Sequence, residues 1–178
     1  MKSNEKNTES LLIITGSMGA GKSSVLAEAS DLLAQRQIAH AAVDLDALGM
    51  AHLPFAAPSD PLMYRNLASV VQNYGYSGIQ RFLVARAIED RAHLDLCRSM
   101  IPAAKTVVCR LAASMAAMQQ RVRAREVGIL QQEYVARVER LNAILDHANL
   151  EDFVVINENR PLTDVAMEML VKAGWISN

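Results

Sequence analysis

The sequence is poor in aromatic residues, cysteine and proline: aromatics are 4% of its 178 residues, with two cysteines and five prolines. Two cysteines cannot build a disulfide framework, and Cys97 and Cys109 match no metal-ligand spacing. They are expected to be reduced thiols of a cytoplasmic protein, Cys109 in a buried strand and Cys97 in an amphipathic helix. No charge excess exists either. Lys and Arg number 18 against 19 Asp and Glu, a net charge of −1. That argues against charge-driven binding to nucleic acid or to a membrane surface. The apolar run that follows the polar segment Met1 to Ser10 is too short for a signal-peptide core or a membrane span. Residues 1–10 read as a disordered or tag-like tail and 11–178 as one domain, with no repeat and no low-complexity linker. His52, His93 and His147 lack ligand spacing and are expected at the surface.

What is present is a helix-forming, Ala- and Leu-rich chain, 51% hydrophobic, with one dense motif. Gly16-Ser17-Met18-Gly19-Ala20-Gly21-Lys22-Ser23 fits G-x-x-x-x-G-K-[ST], directly after the strand-like Leu11-Leu12-Ile13-Ile14-Thr15. Glycines let successive N–H groups turn inward as a nest for one phosphate chain. The helix that starts there adds its unpaired N–H groups and the positive end of its dipole. Val25, Leu26, Ala29, Leu32 and Leu33 supply that helix's periodicity. Strand, glycine loop and helix are the context the motif requires. Residues Gly16 through Gly21, Lys22, Ser23 and Ser24 are therefore expected to bind the nucleotide phosphates. Lys22 would reach the β- and γ-phosphates, and Ser23 would ligate Mg²⁺.

The remaining elements follow from pattern. A first helix is expected over about Lys22–Gln35 and a second strand over Ile38–Val43, ending in Asp44-Leu45-Asp46. After a prolyl loop, His52 to Pro61, Asp60 reads as a cap with Pro61 opening a helix. Met63, Leu67, Val70, Val71 and Tyr74 give that helix one apolar face; Gly75 and Gly78 end it. A third strand is expected over Ile79–Ala85, a helix over about Glu89–Met100 stopped by Pro102, and a fourth strand over Thr106–Leu111. Ser114 can cap a helix that Gly128 interrupts, and another runs over about Leu130–His147. Phe153–Ile156 is the fifth strand and Pro161–Ala173 the last helix. Strands alternating with helices imply a parallel sheet covered on both faces. Asp44 and Asp46 fall where such sheets bind ligands, and residues two apart on a strand project the same way. One carboxylate could take or orient the proton of an attacking hydroxyl while the other supports Mg²⁺.

In element order nearly the whole chain resembles the small P-loop kinases: shikimate, gluconate and adenylylsulfate kinases and, more distantly, nucleoside monophosphate kinases. The phosphate loop is the highly specific part of that likeness. The resemblance implies a three-layer α/β fold with a five-stranded parallel sheet in the order 2-3-1-4-5, flanked by helices. It also implies a small helical lid over about 119–131. Asp44 and Asp46 would meet the phosphate acceptor. Arg121 and Arg125, which share a helix face, would act as lid arginines, with Arg123 pointing elsewhere. Arg160 and Pro161, after strand five, would lie against the base. Arg65, Asn66, Arg86 and Arg137 would line an acceptor pocket suited to an anionic or polyhydroxy molecule. One departure stands out. Many P-loop NTPases end strand three with an aspartate that supports Mg²⁺, and Arg86 falls there in this chain. Metal support then passes to Asp44 or Asp46, or Glu89 and Asp90 reach back, or transfer is weak or absent.

The resulting expectation is an ATP- and Mg²⁺-dependent transfer of the γ-phosphoryl group to a hydroxyl of a small molecule. Lys22, Asp46, Arg121 and Arg125 would be catalytic, and Ser23 with Asp44 would hold the metal. ATP and a small-molecule acceptor are the partners expected, with no nucleic acid and no membrane; acceptor identity and oligomeric state stay open. A nucleoside monophosphate kinase and a non-catalytic ATP-binding regulatory module are the alternatives. A GTPase is disfavoured because the sequence has no N-K-x-D guanine motif.

Overall fold

The computed structural model describes residues 10–50, 60–101, 103 and 105–177. Its organising strand is β1 (Ser10–Thr15), which is apolar on both sides. Leu12 and Ile14 belong to one core, Leu11 and Ile13 to the other, as a two-residue side-chain period dictates. A strand buried on both faces belongs in the middle of a parallel sheet. Accordingly β1 lies between β3 (Arg81–Ala85) and β4 (Lys105–Ala112). β2 (Ala41–Asp44) flanks β3, and β5 (Phe153–Ile156) flanks β4. The order is β2-β3-β1-β4-β5 with every pairing parallel, as the resemblance implied.

The helices cover both faces. Val25, Ala29 and Leu33 of α1 (Lys22–Gln35) and Val165, Ala166 and Met169 of α7 (Leu162–Lys172) pack on the Leu12/Ile14 side. A one-turn helix, α2 (Leu45–Leu48), follows β2 and contributes Leu45 to the opposite core. Met63, Tyr64 and Leu67 of α3 (Asp60–Tyr76) and Leu94 and Cys97 of α4 (Arg91–Met100) fill the rest of that side. α5 (Met115–Arg125) and α6 (Gln131–Ala148) pack on each other and send Met118, Val122 and Val138 into the first core. The segment expected as a lid comprises the C-terminal half of α5 and the turn into α6. Ser114 caps α5 as expected, accepting the Ala117 N–H.

Several boundaries differ from the sequence expectation, and each has a local cause. β2 starts at Ala41 rather than Ile38, because α1 is closed by a reversal: Gln37 has φ +56°, and the Ile38 N–H donates to the Leu33 carbonyl. β2 ends at Asp44, which caps α2, so Asp46 is a helical residue and the strand-alternation argument for it fails. α3 runs through Gly75 and stops before Gly78, whose φ of +81° no helix accommodates. Tyr74 is exposed rather than on the apolar face. α3 includes Asp60, so Pro61 is its second residue. Ser10, expected in the disordered tail, is instead the first residue of β1, in register with Arg81 and Lys105; most of the prolyl loop, the side chain of Asp60, Pro102 and residues 1–9 lie outside the described residues. Among the described residues no helix is long and apolar enough to cross a membrane.

Candidate phosphate and acceptor site

β1 delivers its glycine loop to the carboxyl edge of the sheet centre, between β3 and β4. Gly19 and Gly21 have φ of +77° and +96°, the left-handed geometry a nest requires. A Cβ on Gly19 would also collide with the Met118 carbonyl of α5, so the loop is pressed onto that helix. Gly21 caps α1 with no side-chain acceptor, which leaves the first-turn N–H groups facing the loop. Lys22 as a residue is half-buried, but its ammonium turns inward. Nζ donates to the Gly16 and Ser17 carbonyls at 3.0 and 3.2 Å. Burial pushes its pKa down, opposed by the charges of Asp46 and Asp44.

Three contacts fasten the loop. Ser17 Oγ donates to the Val138 carbonyl of α6 at 2.8 Å. Asn157 Nδ2, buried at the end of β5, donates to the Ala20 carbonyl at 2.8 Å. Arg121 bridges both sides, donating from Nη1 to the Gly19 carbonyl (3.1 Å) and from Nη2 to the Asn157 carbonyl (2.8 Å). Arg121 thus lies beside the loop with both terminal nitrogens on main-chain carbonyls. Asn157 was not singled out in the sequence; its one signal was its place just past a strand on the ligand-binding edge. Glu158 was missed too. It accepts from the Ser114 N–H and hydroxyl, both at 2.7 Å, and those two bonds hold its carboxyl below the usual range.

The carboxylates divide. Ser23 Oγ donates to Asp44 Oδ2 at 2.5 Å, and Asp44 Oδ1 accepts the Asp46 N–H. The Asp46 carboxylate is paired with the Arg86 guanidinium. Arg86 immediately follows β3, its N–H donating to the Ile14 carbonyl at 3.1 Å, so it does occupy the place the sequence suggested. The Ser23 hydroxyl and Asp44 carboxylate are hard oxygen donors meeting beside the loop, a set that fits Mg²⁺ held by one or two protein groups plus phosphates. Among the described residues no cluster of three His, Cys, Asp or Glu forms a dedicated metal cage. Glu89 and Asp90 are engaged elsewhere. Glu89 pairs with Arg137 at 3.7 Å, and Asp90 caps α4 by accepting the His93 N–H at 2.8 Å.

The other candidates scatter. Arg125 is exposed and pairs with Glu126, although its charge is felt at Lys22; Arg123 is exposed. Arg160 is bonded to α7, pairing with Glu168 at 2.5 Å and donating to the Asp164 carbonyl, while Pro161 precedes that helix as its cap. Arg65 is exposed on α3, and Asn66 donates to the Leu48 carbonyl, tying α3 to α2. Arg137 links α6 to the β3–α4 turn. The thiols of Cys97 and Cys109 are free and buried, and burial pushes each up to about 12, so neither is a nucleophile. His147 is exposed and His93 half-buried beside Asp90; His52 lies outside the described residues. A groove of about 670 Å³ between the β3–α4 turn and the end of α6 is lined by Glu89, Arg91, Ile144, His147 and Leu150, with no phosphate-loop residue.

No protein-family model matches the sequence, and no curated protein does. Solved structures do match. A gluconokinase from Sinorhizobium meliloti is 16% identical, with a TM-score of 0.61 over 94% of this chain and 93% of that one. The APS kinase of Mycobacterium tuberculosis, in complex with AMPPNP and APS, is 17% identical, with a TM-score of 0.61 over 93% of this chain and 97% of that one. A shikimate kinase from Acinetobacter baumannii, in complex with shikimate, is 18% identical, with a TM-score of 0.59 over 92% and 91%. The chain has the fold of the small P-loop kinases.

Proposed function

We propose that the protein is an ATP-dependent phosphotransferase that moves the γ-phosphoryl group to a hydroxyl of a small molecule. The observation that carries this reading is the meeting of Ser23 and Asp44 beside the inward-turned ammonium of Lys22. Those groups are what a metal–triphosphate needs at the start of α1. Lys22 would exchange the Gly16 and Ser17 carbonyls for β- and γ-phosphate oxygens. Arg121, fixed on the loop, would offset charge on the moving group. The acceptor oxygen bonds to the γ-phosphorus as the bond from phosphorus to the β–γ bridging oxygen breaks. ADP leaves, and the hydroxyl proton passes to the Asp46 carboxylate. Bound Mg²⁺, held by Ser23 and Asp44, would supply charge neutralisation on the phosphates. Most of the rate acceleration in such transfers comes from positioning and electrostatics.

The test is Mg·ATP turnover against pooled hydroxylated metabolites, nucleosides and nucleoside monophosphates. Wild type runs beside Lys22→Ala and Asp46→Asn. Transfer to one hydroxylated pool, lost in both variants, is the expected result. Transfer to a monophosphate that survives Asp46→Asn would instead make the protein a nucleoside monophosphate kinase. The pairing of Asp46 with Arg86 is the observation that favours a second reading, a regulatory module that binds ATP without transfer. ATP binding with no transfer in any pool would establish it.

A further inference from the structure

A phosphate nest works only if the loop's N–H groups face the phosphates, so its carbonyls must turn the other way and find donors there. In this loop the donors can be named. The Gly16 and Ser17 carbonyls accept from Lys22 Nζ, bonds that end when the ammonium moves to a triphosphate. The Gly21 carbonyl accepts the Val25 N–H of α1 at 2.9 Å. Those of Gly19 and Ala20 are held from other elements, by Arg121 Nη1 of α5 at 3.1 Å and by Asn157 Nδ2 past β5 at 2.8 Å. Arg121 Nη2 donates in turn to the Asn157 carbonyl at 2.8 Å, which closes a ring of three bonds.

Asn157 is itself fixed. It is buried, and its N–H donates to the Ala112 carbonyl at the end of β4 at 2.8 Å. A carbonyl acceptor requires the amide to turn its nitrogen toward the loop. A Cβ on Gly21 would collide with that nitrogen, so the amide is packed directly on the loop. A trans peptide points its N–H opposite its carbonyl. Holding the Ala20 carbonyl on Asn157 therefore sends the Gly21 N–H to the opposite side, where a nest needs it.

We propose that Asn157 is a positioning residue for the phosphates: with Arg121 it holds the Gly19–Ala20–Gly21 backbone in its binding shape before any ligand arrives. Asn157 touches neither phosphate nor base and acts through the Ala20–Gly21 peptide. Its bond and those of Arg121 remain when Lys22 gives up its two carbonyls. Donors aimed in advance need no reordering on binding, so the bare phosphate chain is enough to bind. The inference rests on the phosphotransferase reading only where that reading has the loop hold a triphosphate.

The experiment is calorimetry of the full chain, well below its melting temperature, with Mg·ATP and with Mg·tripolyphosphate, a phosphate chain that has no base. Wild type is expected to bind both. Asn157→Leu, similar in size and without a donor, should weaken both about tenfold, as loss of one well-made hydrogen bond does. Asn157→Gln, which keeps the donor on a longer arm, should recover binding to within about threefold of wild type, a rescue that a merely structural role does not give. Weaker Mg·ATP with unchanged Mg·tripolyphosphate would assign Asn157 to the base and overturn the proposal. Unchanged binding of both by folded Asn157→Leu, or Asn157→Gln no better than Asn157→Leu, overturns it as well. Wild type that binds Mg·ATP but not Mg·tripolyphosphate shows a loop that is not set in advance, and that arm depends on no variant folding. Wild type that binds neither defeats the phosphotransferase reading, and the role of Asn157 with it.

Discussion

At the scale of single residues, Lys22 sets function against stability. Its ammonium is turned into the loop, and burial depresses its pKa from an ordinary 10.5 despite the opposing charges of Asp46 and Asp44. A lysine with a lowered folded pKa binds fewer protons in the folded state than in the unfolded one between the two values. Stability therefore rises with pH across that window, and the charged form is a burden below it. Lys22→Met should leave the melting temperature of the nucleotide-free protein unchanged or raise it, by about 2–4 °C per kcal/mol relieved. The same variant should lose at least tenfold in ATP affinity; calorimetry and a melting curve check both halves. For the wild type the sign reverses with nucleotide, because the triphosphate needs the ammonium: affinity should weaken as pH rises through the lowered value. Asp44→Asn is expected to raise the Mg²⁺ concentration required for ATP binding about tenfold while metal-free binding changes little. Equal losses with and without metal would remove Asp44 from the metal.

Among the elements, α6 is the one whose attachment the sequence concealed. Ser17 Oγ bonds to the Val138 carbonyl across 121 residues, and no local pattern announces that contact. Arg110 is another hidden fastener. It is buried in the middle of β4, where it bonds Asp146 at 2.6 Å, Glu151 at 3.3 Å and Asn142 at 3.2 Å. Arg110→Ala strands Glu151, which is mostly buried, while the exposed Asp146 turns to water. A loss of about 2–4 kcal/mol is expected, toward the lower end because of that escape. Denaturant unfolding checks it, and ATP affinity at low temperature should be preserved. β1, α1, β5 and α7 were legible because periodicity and the glycine motif are local signals. The ends of β2 and β3 were not, because turns at Gln37 and Gly78 decide them. The site divides in the same way. Lys22 and Ser23 were readable from eight consecutive residues, whereas the pairing of Asp46 with Arg86, 40 residues apart, depends on β2 and β3 being neighbours in the sheet.

For the whole molecule, the question is how binding at the loop reaches the tip of the α5–α6 pair. The base of that pair is fixed: Ser17 holds α6, and Arg121 of α5 holds Gly19 and Asn157. The tip is different, with Val127 87% exposed and Ile129 fully so, an apolar turn standing in water. A lid that folds over bound nucleotide would bury those side chains; a rigid protrusion would not. Thermolysin cuts before bulky aliphatic residues, and exposed loop tips are preferred sites of nicking. The free protein is expected to be nicked first between 126 and 130. Saturation with Mg·ATP analogue at 100 times its dissociation constant adds about 2.7 kcal/mol to stability. At about 2–4 °C per kcal/mol this is a melting shift of about 5–11 °C, which confirms occupancy independently of the lid. If the tip closes, nicking at 126–130 should slow at least fivefold under those conditions, more than the rate at any other exposed turn. A full melting shift with unchanged nicking at the tip would show that nucleotide binds to a rigid α5–α6 pair, and Arg125 would then have no path to the transferring group.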